Sequence, residues 1–339
     1  MPEAQVASEA QGAPAGARLS APVVVPPGAW DELQAAAKST APMSPPPVRM
    51  RESLDPFPAR GKAGGPARGP SDTDSGTEGG ATIAVYGLVC YTTRVPSAGY
   101  VDLHCHLLPS VDDGAQTLEE SLEMARALAG AGFSDVAPSP HAWPELPNAA
   151  AIEQQRGALQ AAFSEAGIEL SLHPNAENRL DAEFFERLER GESRPLGSGR
   201  YVLVEAPFDS PLPSLLDLIF RIKLKGLTPL IAHPERCHEF QGKGKRAAEA
   251  VKAGALLQLE LGAPLGRYGP LARKVSERLL EDDLYAVAAS DLHGPVGAER
   301  WLPEAIGFLE THGLHTALLQ ENPARLLQGE PLEFEGQPS

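Results

Sequence analysis

Residues 98–339 predict an α/β fold, a barrel of parallel strands with helices between them and a metal site at its mouth. Two observations carry this expectation. Between residues 98 and 293, seven apolar runs of strand length each stop at, or within a few residues of, a His, an Asp or a Glu. Helical patterns separate the runs, and that alternation is the pattern of a parallel sheet with crossover connections. One strand ending on a ligand-type residue carries little information. Seven that do so gather polar side chains at one rim, as in a barrel whose active site lies at the C-terminal ends of its strands.

The first run, 100–103, leads into His104-Cys105-His106. After a loop carrying Asp112 and Asp113, the capping box Thr117-Leu118-Glu119-Glu120 opens a helix. Its predicted apolar face is Leu118, Leu122, Ala125 and Leu128, and Gly130 and Gly132 mark its end. The second run, 133–137, leads to Ser139-Pro140-His141 and a helix over 150–166. The third, 168–172, leads to Glu177 and a short helix over 182–189. The fourth, 201–204, ends on Glu205, before a helix over 213–225 closed by Gly226. The fifth, 228–232, ends on His233-Pro234-Glu235-Arg236, before a helix over 245–253. The sixth, 255–259, ends on Glu260, before 270–281. The seventh, 284–289, ends on Asp291-Leu292-His293, before 298–311.

The first 100 residues differ in kind. They hold 14 Pro and 12 Gly, a breaker content in the low-complexity range. Residues 1–97 are therefore expected to form a disordered Pro/Gly/Ala-rich tail, and 98–339 a single globular domain. The tail reads as a solvated arm, a docking linker or the product of an upstream start. Net charge is −16, of which 8 basic and 9 acidic side chains in the first 100 residues contribute only −1. So acidic a domain repels nucleic acid and anionic lipid at long range. The three cysteines, Cys90, Cys105 and Cys237, form no disulfide framework and no paired CxxC motif. The N-terminus has no basic region followed by an apolar core, so a cytoplasmic protein without membrane insertion is expected. Oligomeric state is open.

Side chains alternate along a strand, so His104 and His106 face the same way and form a metal pincer, with Cys105 opposite as a small packed hydrophobe. Of Asp112 and Asp113, one can reach a metal while the other orients a ligand or caps the helix. A Glu at position 205, directly after Tyr-Val-Leu-Val, would be costly to bury unpaired, and adjacent cations would resolve that cost. His233 reads as a ligand, and Arg236 as a cation that clamps a phosphate or pairs with Glu235 or Glu239. Asp291 and His293 repeat the i, i+2 geometry of the first strand. Arg300 reads equally as a second phosphate contact or a helix-surface arginine. Glu260, His173, His238, His312 and His315 are read as structural. Imidazoles mixed with carboxylates suit Mn, Fe or Zn better than Mg or Ca, and such a cluster favours phosphate-ester hydrolysis.

Asp102-Leu103-His104-Cys105-His106-Leu107-Leu108-Pro109, followed by Asp112-Asp113-Gly114-Ala115, resembles the opening of the PHP (polymerase and histidinol phosphatase) superfamily. More narrowly, the sequence is similar to the bacterial tyrosine-protein phosphatases of the CpsB/YwqE type, encoded with capsule and exopolysaccharide genes. Ser139-Pro140-His141, Tyr201 to Pro207, His233-Pro234-Glu235-Arg236 and Ala289 to His293 follow in the family's order. The resemblance covers about residues 98–330. It implies a distorted (β/α)7 TIM-like barrel of the PHP type and a site of two or three divalent ions, usually Mn2+. It implies the metal ligands His104, His106, Asp113, His141, Glu177, Glu205, His233, Asp291 and His293, with Arg236 and Arg300 as catalytic, phosphate-binding residues. The implied substrate is phosphotyrosine on a bacterial tyrosine kinase that controls polysaccharide export. Ala142 stands where the family often has a second His, the segment 173–179 is less typical, and the N-terminal extension lies outside the pattern.

A thiol-based phosphatase needs Cys-x5-Arg. Pro96, Val111 and Lys243 stand six residues after the three cysteines, which excludes that mechanism. A histidinol-phosphate phosphatase or another small-molecule phosphoesterase would share the metals and differ in the pocket. A metal-stabilised scaffold without turnover would be expected to lack ligands, and all nine are present.

Overall fold

The computed structural model describes residues 99–142, 148–197, 199–242 and 245–332. The expected tail, 1–97, lies outside them. Eight strands run parallel in two sheets. One sheet has the order β1-β2-β3, made of β1 (Tyr100–Cys105), β2 (Phe133–Pro138) and β3 (Ser171–Leu172). The other runs β4-β5-β6-β7-β8, made of β4 (Asn178–Arg179), β5 (Tyr201–Glu205), β6 (Thr228–Ile231), β7 (Leu256–Glu260) and β8 (Tyr285–Ala289). Within each sheet, sequential strands are neighbours, as short crossovers require.

The helices are α1 (Leu118–Gly130), α2 (Ala149–Glu165), α3 (Ala182–Glu189), α4 (Leu215–Leu224), α5 (Lys245–Lys252), α6 (Gly269–Glu281), α7 (Ala298–Thr311) and α8 (Asn322–Leu327). Thr117 caps α1 by accepting from the Glu120 N–H at 3.2 Å. Glu120 does not close the box on Thr117; its carboxylate accepts from the Gln116 N–H at 2.6 Å. The buried face of α1 is also turned from the one expected. Met124, Ala125 and Leu128 are buried, Leu118 and Leu122 are half-buried, and Ser121 goes inside. Ser121 tolerates this because its hydroxyl donates to the Leu107 carbonyl at 2.7 Å. Asn148 and Asp181 cap α2 and α3 in the same way as Thr117.

The third predicted strand is where expectation and structure part. Residues 168–172 contract to the two-residue β3, and a further two-residue strand, β4, follows. Pro174 lies between them and has no N–H to give a ladder. The His173 N–H still reaches the Val136 carbonyl at 2.8 Å, whereas the Pro174 carbonyl accepts from Gly197 at 2.9 Å. The one strand position is thus divided between the two sheets. The sheets nevertheless meet at both edges. His141 and Glu177 form a parallel bridge at one, Cys105 and Leu292 at the other. At the second edge the His106 N–H donates to the Leu292 carbonyl (2.9 Å) and the Asp291 N–H to the His104 carbonyl (2.8 Å). The first helix also packs against the last of the long ones, α1 on α7.

Two apolar clusters fill the molecule. The larger joins strand residues such as Val136, Val202, Val204, Ile231 and Leu257 to the helices. The smaller takes the alternate strand residues, among them Val101, Leu103, Tyr201, Leu203, Leu230 and Leu256, together with Ala324 and Leu326 of α8. Tyr201 anchors the C-terminal segment there, its hydroxyl donating to the Glu330 carbonyl at 2.6 Å. Among the described residues no helix is long and apolar enough to cross a membrane.

Candidate metal centre

The polar residues gather at the C-terminal ends of the strands. His104 and His106, two apart on β1, bring their Nε2 atoms within 3.3 Å of each other. Asp291 Oδ1 lies 3.1 Å from the first and 3.4 Å from the second. Glu177 stands at the middle of the cluster. Its Oε1 is 2.9 Å from His233 Nε2, and its Oε2 is 3.0 Å from His141 Nδ1 and 3.4 Å from His104 Nε2. Asp113 Oδ1 completes the outer side, 3.2 Å from His141 Nε2 and 3.5 Å from His293 Nε2. His293 stacks on His106 with ring centroids 3.9 Å apart. Glu205 stands at the margin, with Oε2 3.9 Å from His233 Nε2.

Backbone geometry aims these groups. His233 and Asp291 both sit in the left-handed region, at φ 32° and 49°, which non-glycine residues avoid and which concentrates at functional sites. Pro234 then starts a 3-10 turn through Arg236 and turns the chain back over the rim. On the other side, the loop from Asp112 lies directly on His106. A Cβ on Gly114 would stand 2.2 Å from the His106 carbonyl oxygen and 2.3 Å from its Cβ, so only glycine lets the loop approach this closely.

Hydrogen bonds set which imidazole nitrogen is free. His106 Nδ1 pairs with Asp112 Oδ2 at 2.7 Å, which leaves Nε2 facing the cluster. Asp112 also accepts from the His141 and Gly114 N–H groups at 3.1 and 3.0 Å. Asp112 thus orients His106, and Asp113 faces the open side beside His141 and His293. His293 Nδ1 donates to the Asp291 carbonyl at 2.8 Å, freeing its Nε2. His104 Nδ1 lies 2.8 Å from the Gln258 amide. With that amide turned over, its oxygen accepts from Nδ1–H and releases Nε2 as a lone-pair donor.

Charge is arranged to match. Burial opposes protonation of His141, but Asp113 and Glu177 hold its pKa up to about 9. Asp113 is held well below the usual carboxylate range by hydrogen bonds from His141 and then His293. For Glu177 and Asp291, burial favours the neutral acid, and the surrounding imidazoles together overcome it and keep both ionised. Glu205 goes the other way, raised by burial and then by the Glu177 charge.

Arg236 reaches the cluster from the far side. Its guanidinium is 2.9 Å from Asp291 Oδ2 and 3.3 Å from Glu260 Oε2. The guanidinium carbon also lies over the Phe208 and Tyr268 rings, 4.6 Å from each centroid. Arg300 stands apart on the first turn of α7, largely exposed, with Glu299 at 3.4 Å. Glu260, read as structural, is fully buried at the end of β7 and touches Arg236. Sequence reasoning passed over Gln258 and read Glu235 only as a partner for Arg236. Glu235 is buried, accepting from the Tyr285 hydroxyl and the Glu260 N–H, both at 2.8 Å. The inward alternation Leu256, Gln258, Glu260 was the available signal for Gln258. Asp102, equally buried, ties β1 to the segment after β8 by accepting from the Ser290 hydroxyl at 2.5 Å.

These donors fit divalent cations. Asp291 Oδ1 is buried and accepts no aligned hydrogen bond, although two imidazole nitrogens face it. Three overlapping groups each place their donor atoms within 4.8 Å of one another: His106, Asp113, His141 and His293; His104, Glu177 and His233; and His104, His106 and Asp291. Nitrogen and carboxylate oxygen donors without thiolate suit a borderline divalent metal. The two described cysteines take no part. Both are buried and unpaired, and burial pushes their thiols up.

The sequence model of the CpsB/CapC family, described as capsular polysaccharide synthesis, matches residues 100–328. The chain is 32% identical over 214 residues to tyrosine-protein phosphatase YwqE of Bacillus subtilis (strain 168), an alignment covering 62% of this chain and 84% of that protein. It is 26% identical over 238 residues to tyrosine-protein phosphatase CpsB of Streptococcus pneumoniae, covering 67% and 98%. Among solved structures, it matches one from a study of YwqE from Bacillus subtilis and CpsB from Streptococcus pneumoniae, described as unique metal-dependent tyrosine phosphatases. The TM-score is 0.64 at 30% identity, over 70% of this chain and 99% of that one.

Proposed function

The chain belongs to the CpsB/CapC capsular polysaccharide synthesis family, and on that premise we propose that it is a metal-dependent protein-tyrosine phosphatase. The observation that carries this reading is the meeting of three overlapping donor groups with the Arg236 guanidinium across one carboxylate, Asp291. Within it, His104, His106, Asp113, His141, Glu177, His233, Asp291 and His293, with Glu205 at the margin, would hold two or three divalent ions, with Mn2+ the first choice. The ions supply Lewis acidity and charge neutralisation for a phosphoryl group.

The remaining work falls to the protein. Arg236 binds phosphate oxygens through charge-assisted hydrogen bonds, and Asp291 and Glu260 keep its fork aimed at the cluster. The oxygen of water bonds to phosphorus while the phosphorus–oxygen bond to tyrosine breaks, and the phenolic oxygen takes up a proton. A leaving phenol of pKa about 10 needs modest assistance. Arg300 is proposed as a second phosphate-binding residue; it lies on the exposed first turn of α7, paired with Glu299 and outside the donor groups.

The same reading joins the two sheets, bridged at both edges, into the distorted (β/α)7 barrel, with 98–339 as the catalytic domain and 1–97 as an appended tail. The substrate would be phosphotyrosine on a bacterial tyrosine kinase regulating capsule or exopolysaccharide synthesis. The unpaired cysteines suit the reducing cytoplasm.

The test is phosphate release from a tyrosine-phosphorylated peptide and, in parallel, from histidinol phosphate, using the full chain stripped of metal and reloaded with Mn2+. Peptide turnover that falls about 10²–10³-fold in Arg236→Ala is expected, the loss typical of removing one transition-state donor. Preference for histidinol phosphate would move the protein to small-molecule metabolism.

A further inference from the structure

We infer that Phe208 and Tyr268 form the part of the mouth that recognises the aromatic ring of the substrate and set its preference for aryl over alkyl phosphates. The inference rests on the phosphatase reading and adds the residues that select the substrate class. Phe208 follows β5, Arg236 follows β6, and Tyr268 follows β7. These three strands are adjacent in the sheet, so the two aromatic residues come from the strands on either side of the one that supplies the arginine. The guanidinium carbon is 4.6 Å from each ring centroid. A phosphate held by Arg236 therefore has its ester group beside two aromatic surfaces.

The rings are neither core nor incidental. Phe208 is 40% exposed, an apolar surface left open to water at the rim of a charged cluster. Its ring also lies 5.2 Å from that of His233, which places it against the ligand set itself. The place of Tyr268 depends on a missing side chain. A Cβ on Gly262 would stand 3.0 Å from Tyr268 Cε2 and 2.8 Å from Arg267 Cδ, so the glycine lets the ring lie where it does. Aromatic pairs prefer offset or edge-to-face contact and gain beyond plain burial. A phenyl ester offers such a face, whereas the short alkyl ester of a phosphoserine does not.

Both rings also brace Arg236 through cation–π contact, and the experiment must separate bracing from recognition. Phe208→Leu and Tyr268→Leu keep apolar volume and remove the ring; thermal melts establish that each folds. Calorimetry then measures the affinities of phenylphosphonate and methylphosphonate, which cannot be hydrolysed, for the Mn2+-loaded full chain. The wild type is expected to prefer the phenyl compound, and the phenyl-over-methyl ratio to fall about tenfold in the double variant. A ratio unchanged in the double variant, with both affinities lowered together, would overturn the inference and leave the rings as supports for Arg236. A wild type without phenyl preference would overturn it as well. Turnover of the phosphotyrosyl peptide by the wild type is read separately. Its absence beside an intact phenyl preference would sink the phosphatase reading and not the ring site.

Discussion

The two ends of the same strands obey different rules. Along β7 the inward positions read Leu256, Gln258, Glu260, and along β5 they read Tyr201, Leu203, Glu205. At the lower end, Leu203, Leu230 and Leu256 pack among themselves and against Ala324 and Leu326 of α8. At the upper end, buried carboxylates and imidazoles crowd within hydrogen-bonding distance, and two ligand-type residues hold left-handed backbone. A few residues along one strand separate a layer that stabilises from one that stores electrostatic and conformational cost. In a parallel α/β fold the helices and the lower layer bear the stability, and the upper ends are free to collect groups that would be intolerable elsewhere.

The sharpest break between the ends is metal removal. Chelation should abolish turnover and lower the thermal midpoint, because bound ions stabilise only the folded state; added Mn2+ should restore both. A midpoint that does not move would mean the upper end carries its charges without ions. Next in size, Leu203→Ala should cost about 2–5 kcal/mol of stability, the range for emptying a packed core site. Below its lowered melting point the variant should keep the wild-type KM. A changed KM would show that the two ends are mechanically coupled. Asp112→Asn tests the orienting carboxylate on His106, with an expected loss of about 10–100-fold in metal affinity or turnover. An unchanged metal titration would demote Asp112 to a loop cap.

The smallest effect is a pH slope. Burial raises the pKa of Glu235 from 4.5 to about 7 in the folded protein. The folded state then holds a proton that the unfolded chain has released. This contribution is fully present below pH 4.5 and is lost as pH rises towards and through 7. Urea midpoints without added metal should decline over that window, and Glu235→Gln should flatten the decline. An identical slope in the variant would place its origin in other buried acids, with Asp102, raised by burial to about 6, the next to test.

Much of the upper end was readable residue by residue. The spacing of His104 and His106 is a local property of extended backbone, and the strand-end positions of His141, His233 and His293 follow from the apolar runs before them. What could not be read depended on neighbours. Asp112 and Asp113 are adjacent and chemically identical. Only the fit of Gly114 against His106 turns one towards the imidazole Nδ1 and leaves the other facing His141 and His293. Glu260 looked structural because its partner, Arg236, lies far off in sequence, in the turn after β6.

The division between chain and fold is therefore physical. The sequence by itself determined the alternation of strand and helix, the polar residues that terminate the strands, the exclusion of thiol chemistry and the family. The first two are encoded within a few residues by periodicity, capping and turn chemistry, the third by the residues that follow each cysteine, and the family by the resemblance of separated motifs. The tertiary structure decided the rest. Asp112 takes Nδ1 of His106, Gln258 packs its amide on Nδ1 of His104, and Phe208 and Tyr268 flank Arg236. Those outcomes depend on which strands become neighbours, and pairings across dozens of residues leave no local trace in the chain.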